Sequence, residues 1–262
     1  MDNQEKPIPV SSAVIIAGLL IALAIIIVGK GNSTSVSSGT VTQPGAPTAQ
    51  AGSLLNLGNS NNQNSQNNQT TLNNMRPVSP ADHILGNPNA PVKIVEYSDL
   101  ECPFCKQFQS TMQQAMSEYG DKIVWVYRQF PIASLHSKAP NESAASECAN
   151  ELGGNDVFWK YIDRVYQVTN SNNSLDPAQL PIIAQYVGLD VTKFNDCLAS
   201  GKYAQKINAD VQNATDTGGR GTPWTIVVAS NGQKFPVQGA VPYTSLDQPN
   251  LKQIIDQALA TK

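Results

Sequence analysis

Four cysteines occur in the 262-residue chain, and their spacing sorts them into two pairs. Cys102 and Cys105 enclose Pro103 and Phe104 in a C-P-F-C motif, whereas Cys148 and Cys197 stand far apart. Two thiols one helical turn apart can cycle between dithiol and disulfide, provided one is activated as a thiolate and the other resolves a mixed disulfide. Pro103 suits the first helical position, where a missing N–H is harmless, so Cys102 falls on the N-cap. Its sulfur then faces unpaired backbone N–H groups and the positive end of the helix dipole, which lowers its pKa. Cys105 points back into the protein one turn later, within reach of Cys102. Cysteines on adjacent turns staple almost nothing, which weighs against a structural bridge. A zinc site normally takes four ligands, and His83 and His136 show no ligand spacing to this pair. The motif therefore reads as a redox centre that needs no cofactor and no metal.

Other residues could serve that centre. Glu96 lies six residues before Cys102 in an otherwise apolar segment, and strand alternation puts it on the face of Ile94 and Ser98. Either it reaches solvent through imperfect alternation, or it is a buried carboxyl of raised pKa that takes the proton Cys105 releases; we favour the second. Gly221-Thr222-Pro223-Trp224 opens a strand, where proline cannot donate a ladder hydrogen bond. A cis Thr222–Pro223 bond would turn the chain and free the Thr222 backbone to pair with an extended peptide, and an ordinary trans-proline at a strand start is the competing reading. Cys148 and Cys197 are either buried free thiols or, outside the cytoplasm, a structural disulfide closing a loop of about fifty residues; we favour the disulfide. His136 reads as a surface loop histidine.

These residues need elements to place them. Val92 to Ser98 and Ile123 to Tyr127 are rich in β-branched and aromatic residues and read as strands. Between them a helix starts near Pro103, with Phe104, Phe108, Met112, Met116 and Tyr119 on one face and Gly120 as its stop. That is a parallel strand-helix-strand unit. Helices follow at Asn141 to Leu152, Asp156 to Val168, Pro177 to Val187, and Val191 to about Thr215. Trp224 to Ala229 and Lys234 to Gln238 then flank an Asn231-Gly232 hairpin signal, and a helix from about Leu246 to Ala260 closes the chain. The order is βαβ, a helical insertion over about 138–217, then ββα.

Only 14% of the residues are charged and the net charge is −3, so nucleic acid is not an expected partner. The charge deficit is local. After a short tail, 1–9, the apolar run 10–28 is long enough to span a bilayer as a helix. A cleaved signal peptide is the competing reading, though Gly29 to Ser33 does not resemble a cleavage site. Gly31 to Met75 holds no Asp, Glu, Lys or Arg and is dominated by Asn, Gln, Ser, Thr and Gly. We assign 29–78 as a disordered tether with a root-mean-square reach of about 35 to 40 Å, and 79–262 as one folded domain.

Asp82-His83-Ile84-Leu85-Gly86, Val95 through Cys105, Arg128-Gln129-Phe130-Pro131 and Gly221-Thr222-Pro223 together resemble the DsbA-like thiol:disulfide oxidoreductases. The resemblance covers the folded block and implies an α/β thioredoxin-like fold with an inserted helical subdomain capping the site. It also implies a nucleophile at Cys102, its partner at Cys105, a buried acid at Glu96 and a cis-proline at Pro223; a second disulfide like Cys148 to Cys197 occurs in some members. One position departs: strongly oxidising members carry histidine where this chain has Phe104, so a less oxidising couple is implied. The expected function is a single-pass, membrane-tethered oxidoreductase with its catalytic domain outside the cytoplasm. It would act on thiols of secreted or membrane proteins and be recycled by a redox partner. A reductase or isomerase of the same fold, or a non-catalytic thioredoxin-fold binding module, is the rival.

Overall fold

The computed structural model describes residues 71–261; the expected tail, the anchor at 10–28 and the tether as far as residue 70 lie outside them. Among the described residues no helix is long and apolar enough to cross a membrane. Two apolar runs form the centre of the sheet. Of β2 (Val92–Ser98) and β3 (Ile123–Gln129) nearly every residue is buried, because strands covered on both faces read as continuous apolar runs. Helix α1 (Pro103–Tyr119) crosses between them and makes the pair parallel, with Val92 opposite Ile123 and Ser98 opposite Gln129. β4 (Trp224–Val228) runs antiparallel to β2, and β5 (Lys234–Gln238) antiparallel to β4. Gly232 turns that hairpin at φ +87°, a left-handed value that costs glycine nothing. β1 (His83–Gly86) lies antiparallel to β3 on the far side, giving the order β1-β3-β2-β4-β5. Four residues are too few for a periodic signal, so β1 is absent from the order expected from the sequence.

The insertion between β3 and β4 comprises α2 (Ala139–Gly153), α3 (Asn155–Val168), α4 (Gln179–Tyr186), α5 (Val191–Ala199) and α6 (Ala204–Asp216). The single helix expected from Val191 to about Thr215 is two. Its break falls at Gly201, whose φ of +63° leaves the helical region. The halves need different directions: α5 packs on α2 and α4, while α6 packs on β2, β3 and α2. The closing helix, α7 (Leu251–Ala260), begins later than expected. Asn250 caps it by accepting the Gln253 N–H at 3.0 Å, and Leu246 is fully exposed. A Cys148–Cys197 disulfide joins α2 to α5, with Cα atoms 5.9 Å apart.

One core gathers Phe108 and Met112 of α1, Trp125 and Tyr127 of β3, Phe158 and Ile162 of α3, and Ile255 of α7. A smaller one holds Leu72, Val95, Tyr97, Val126, Trp224 and Ala214. Leu72 is 2% exposed, so the segment 71–78, expected in the tether, packs with the domain. Asn74 donates to the Asp216 carbonyl at 3.1 Å, and the Arg76 N–H donates to Asn213 Oδ1 at 3.1 Å. Leu72, Met75 and Val78 supply the apolar contacts, too sparse in a polar stretch for composition to reveal.

A buried guanidinium locks this segment to the sheet. Arg128 donates to Asp82 through Nε at 2.8 Å and Nη2 at 3.1 Å, to the Tyr97 hydroxyl at 3.0 Å and to the Pro77 carbonyl at 3.2 Å. Burial pushes the Asp82 carboxyl up, but hydrogen bonding and charge from Arg128, with the Ser79 N–H and Arg76, hold it below its ordinary value.

Candidate active site

The C-P-F-C motif bends at the end of β2 into the first turn of α1, with Cys102 as N-cap and Pro103 at the helix start. Both thiols are free; Cys102 is 4% exposed and Cys105 0%. Cys102 edges a groove of about 630 Å³ whose walls include Phe104, Leu135, His136, Asn172, Arg220 and Thr222. Phe104 does not join the buried stripe expected for it. At the first turn of α1 it faces this groove and is 58% exposed.

The two thiols differ sharply in proton affinity. The Cys102 thiol is lowered to about 6, chiefly by the hydrogen bond from Cys105; burial opposes this, and Thr222 with the backbone N–H groups of Cys105 and Phe104 adds to it. The Thr222 carbonyl accepts the Cys102 S–H at 3.4 Å, and the Thr222 hydroxyl is buried without another partner, so it is at hand as a donor to an ionised sulfur. The Thr222–Pro223 bond is cis. Burial pushes the Cys105 thiol well up, and the Cys102 and Glu96 charges push it further. The Asp99 N–H points at Cys105 Sγ from 3.4 Å.

Glu96 is 1% exposed and accepts from Trp125 Nε1 at 2.9 Å. Burial raises its carboxyl to about 7 against hydrogen bonds from Ser98 and Trp125. The structure thus brings Cys102, Cys105, Glu96, Thr222 and Pro223 to one place. Cys148 and Cys197 bridge the insertion instead.

Several groups here had no mark in the sequence reading. His136, expected on the surface, is 6% exposed and pairs through Nδ1 with Asp99 Oδ2 at 2.9 Å. Asp99 also accepts the N–H groups of Glu101 at 2.9 Å and Ile132 at 2.8 Å. The Glu101 carboxylate accepts the N–H groups of Asn173 at 2.7 Å and Leu175 at 3.1 Å. Burial, then hydrogen bonding to Glu101, raises the Glu142 carboxyl to about 9. The available signal was two acids flanking Leu100 just before the C-P-F-C motif; their partners lie 33 to 74 residues further on.

A family model described as Thioredoxin matches residues 78–257. The structure of DsbA2 from Pseudomonas aeruginosa superposes with a TM-score of 0.58 at 26% identity, covering 69% of this chain and 96% of that one. BdbD from Bacillus subtilis gives 0.59 at 19% identity, covering 71% and 96%, a likeness of fold. Among curated proteins, the Na(+)/H(+) antiporter NhaA 3 of Salinispora tropica is 34% identical over 161 residues, 61% of this chain and 23% of its own length. The antiporter NhaA 1 of Mycolicibacterium gilvum is 29% identical over 166 residues, 62% of this chain and 25% of its own. The chain spans about a quarter of the length of the curated relatives it matches.

Proposed function

We propose, for a chain that belongs to the DsbA-like thiol:disulfide oxidoreductase family of thioredoxin-fold proteins, that its Cys102–Cys105 pair delivers disulfides to extracytoplasmic proteins. The observation that carries this reading is the asymmetry of the pair. A thiol of low pKa stands at a groove, and a thiol of raised pKa is sealed behind it.

In the oxidised enzyme a substrate thiolate attacks Cys102 Sγ. The Cys102–Cys105 bond breaks and its electron pair leaves on Cys105, which takes a proton because burial disfavours its thiolate. Glu96, poised near 7, supplies that proton and recovers it when the pair is oxidised again. The substrate's second thiolate then attacks its own sulfur in the mixed disulfide. Cys102 leaves as a thiolate, and a low pKa makes it a good leaving group. Two substrate thiols have become a disulfide, and the enzyme disulfide has become a dithiol that a redox partner must reoxidise. No bound cofactor enters the cycle.

Residues 10–28 anchor the domain and the tether holds it outside the cytoplasm, where protein disulfides persist. Cys102→Ser abolishes oxidation of a reduced substrate protein; normal turnover by that variant would sink the mechanism.

A second reading, reductase or isomerase, draws on Phe104. Where the strongly oxidising relatives have a histidine, this exposed ring offers the Cys102 thiolate no donor. The reduction potential of the pair and its redox state in cells separate the two: a mostly reduced pair favours the second.

A further inference from the structure

Ser171, Asn172 and Asn173 form an unusual link between α3 and α4. Their φ angles are +63°, +53° and +65°, three consecutive non-glycine residues in the left-handed region that side chains other than glycine's disfavour. Such a turn persists only where its surroundings over-determine it, and such turns cluster at functional sites.

The surroundings are the active-site turn. The Asn172 N–H donates to the Glu101 carbonyl at 2.8 Å, and the Asn173 N–H to the Glu101 carboxylate at 2.7 Å. Glu101 immediately precedes Cys102. The Asn173 side chain spans to the opposite loop, donating to the Leu135 carbonyl at 3.0 Å and accepting the Lys138 N–H at 3.1 Å. The backbone N–H and both ends of the side-chain amide of Asn173 are thus engaged in holding the turn. Asn172 differs. It is exposed, it lines the groove beside Cys102, and among the described residues its side-chain amide has no protein partner.

Thr222 stands in the same groove wall set. Its carbonyl accepts the Cys102 S–H at 3.4 Å in the dithiol form; in the oxidised enzyme and in the mixed disulfide that sulfur carries no hydrogen, which leaves the carbonyl free. An extended substrate can then pair one residue with Thr222. In a strand, adjacent residues direct their N–H and C=O groups to opposite edges. The neighbours of the paired residue therefore present a donor and an acceptor away from Thr222.

We propose that Asn172 is a substrate-positioning residue whose side-chain amide binds that second edge, so that the strained turn and Thr222 grip the backbone of the cysteine-bearing segment from two sides. The grip reads an extended main chain rather than particular side chains. It rests on the reading of the groove as the place where a substrate cysteine meets Cys102.

The test compares the oxidised full-length chain with its Asn172→Gly variant, since glycine keeps the left-handed turn and deletes only the amide. Substrates are a reduced dicysteine peptide and dithiothreitol, which has no backbone to grip. For Asn172→Gly the ratio of kcat/KM for the peptide to that for dithiothreitol falls about fivefold, mainly through KM, as the loss of one neutral hydrogen bond requires. A peptide with an ester in place of the amide after its cysteine costs the wild type a similar factor and costs Asn172→Gly little more. An unchanged ratio overturns the proposal, as does an equal loss on both substrates accompanied by a lower Tm. If the wild type oxidises neither substrate, it is the disulfide-delivery reading that fails.

Discussion

At the scale of single residues, the chemistry depends on which thiol holds its proton. Thiolate absorbance of the reduced protein is expected to titrate at about 6 for Cys102; a midpoint near the ordinary thiol value of 9.0 would remove the asymmetry on which the mechanism stands. Phe104 makes the next step testable. A histidine there adds a donor at the groove edge, so Phe104→His is expected to lower the Cys102 pKa further and raise the reduction potential, by about 30 mV per tenfold stabilisation of the reduced form. Glu96 has a signed effect on stability. Its folded pKa of about 7 lies above the ordinary 4.5, so the stability associated with its neutral form is present below 4.5 and lost as pH rises through 7. Glu96→Gln escapes that loss. The variant is expected to gain up to about 3 kcal/mol relative to wild type between pH 4.5 and 8 by denaturant titration, while thiol exchange slows tenfold or more and loses its inflection near 7. A variant with wild-type rates would release Glu96 from proton handling. Residues such as Cys102 and Cys105 were legible because N-cap, proline and one-turn spacing are local facts. His136 was not, because the carboxylate that buries it lies 37 residues away, and only the fold makes them neighbours.

At the scale of elements, hydrophobic pattern located β2, α1, β3 and the β4–β5 hairpin, the parts that carry the thiols and Thr222. What it missed follows from what periodicity can register. β1 is too short to repeat, and the apolar residues of α5 and α6 continue one helical phase although Gly201 redirects the chain. Polar clamps hold such irregular joins. Arg128 ties β3 to the segment before β1, and breaking that buried pair by Asp82→Ala leaves the guanidinium uncompensated. The expected cost is about 3 to 5 kcal/mol in urea unfolding; a loss below 1 kcal/mol would show that water or Asn213 replaces the carboxylate. Across the insertion, the Cys148–Cys197 bridge spans 49 residues. The chain-entropy model assigns such a loop about 4 kcal/mol, so Cys148→Ala/Cys197→Ala is expected to lower Tm by about 10 °C in a domain of this size. The Cys102 thiolate titration should survive that change, since the bridge lies between α2 and α5 rather than at the groove.

For the whole molecule, the question is what an uncharged segment of some forty residues does for a redox domain. The tether's end was misplaced by several residues, because Leu72 and Met75 are read as linker by composition and as core by packing. For the remainder, the proposed role is reach. On the proposed reading, a tether with a root-mean-square span of about 35 to 40 Å would confine the domain near the membrane at an effective concentration on the order of millimolar. Oxidation of a freely diffusing substrate needs no such confinement, but reoxidation by a membrane-held partner does. A variant starting after residue 30 should therefore oxidise a soluble substrate in a single turnover at the full-length rate. In cells, at equal extracytoplasmic abundance, it should accumulate with Cys102 and Cys105 reduced, whereas the full-length chain should resist alkaline extraction from membranes and stay largely oxidised. Halving the tether in the anchored chain shortens its span by about the square root of two, raising the local concentration about threefold and with it the oxidised fraction. Equal oxidation of anchored and released forms would mean that the recycling partner is soluble, and that the tether serves substrate access instead.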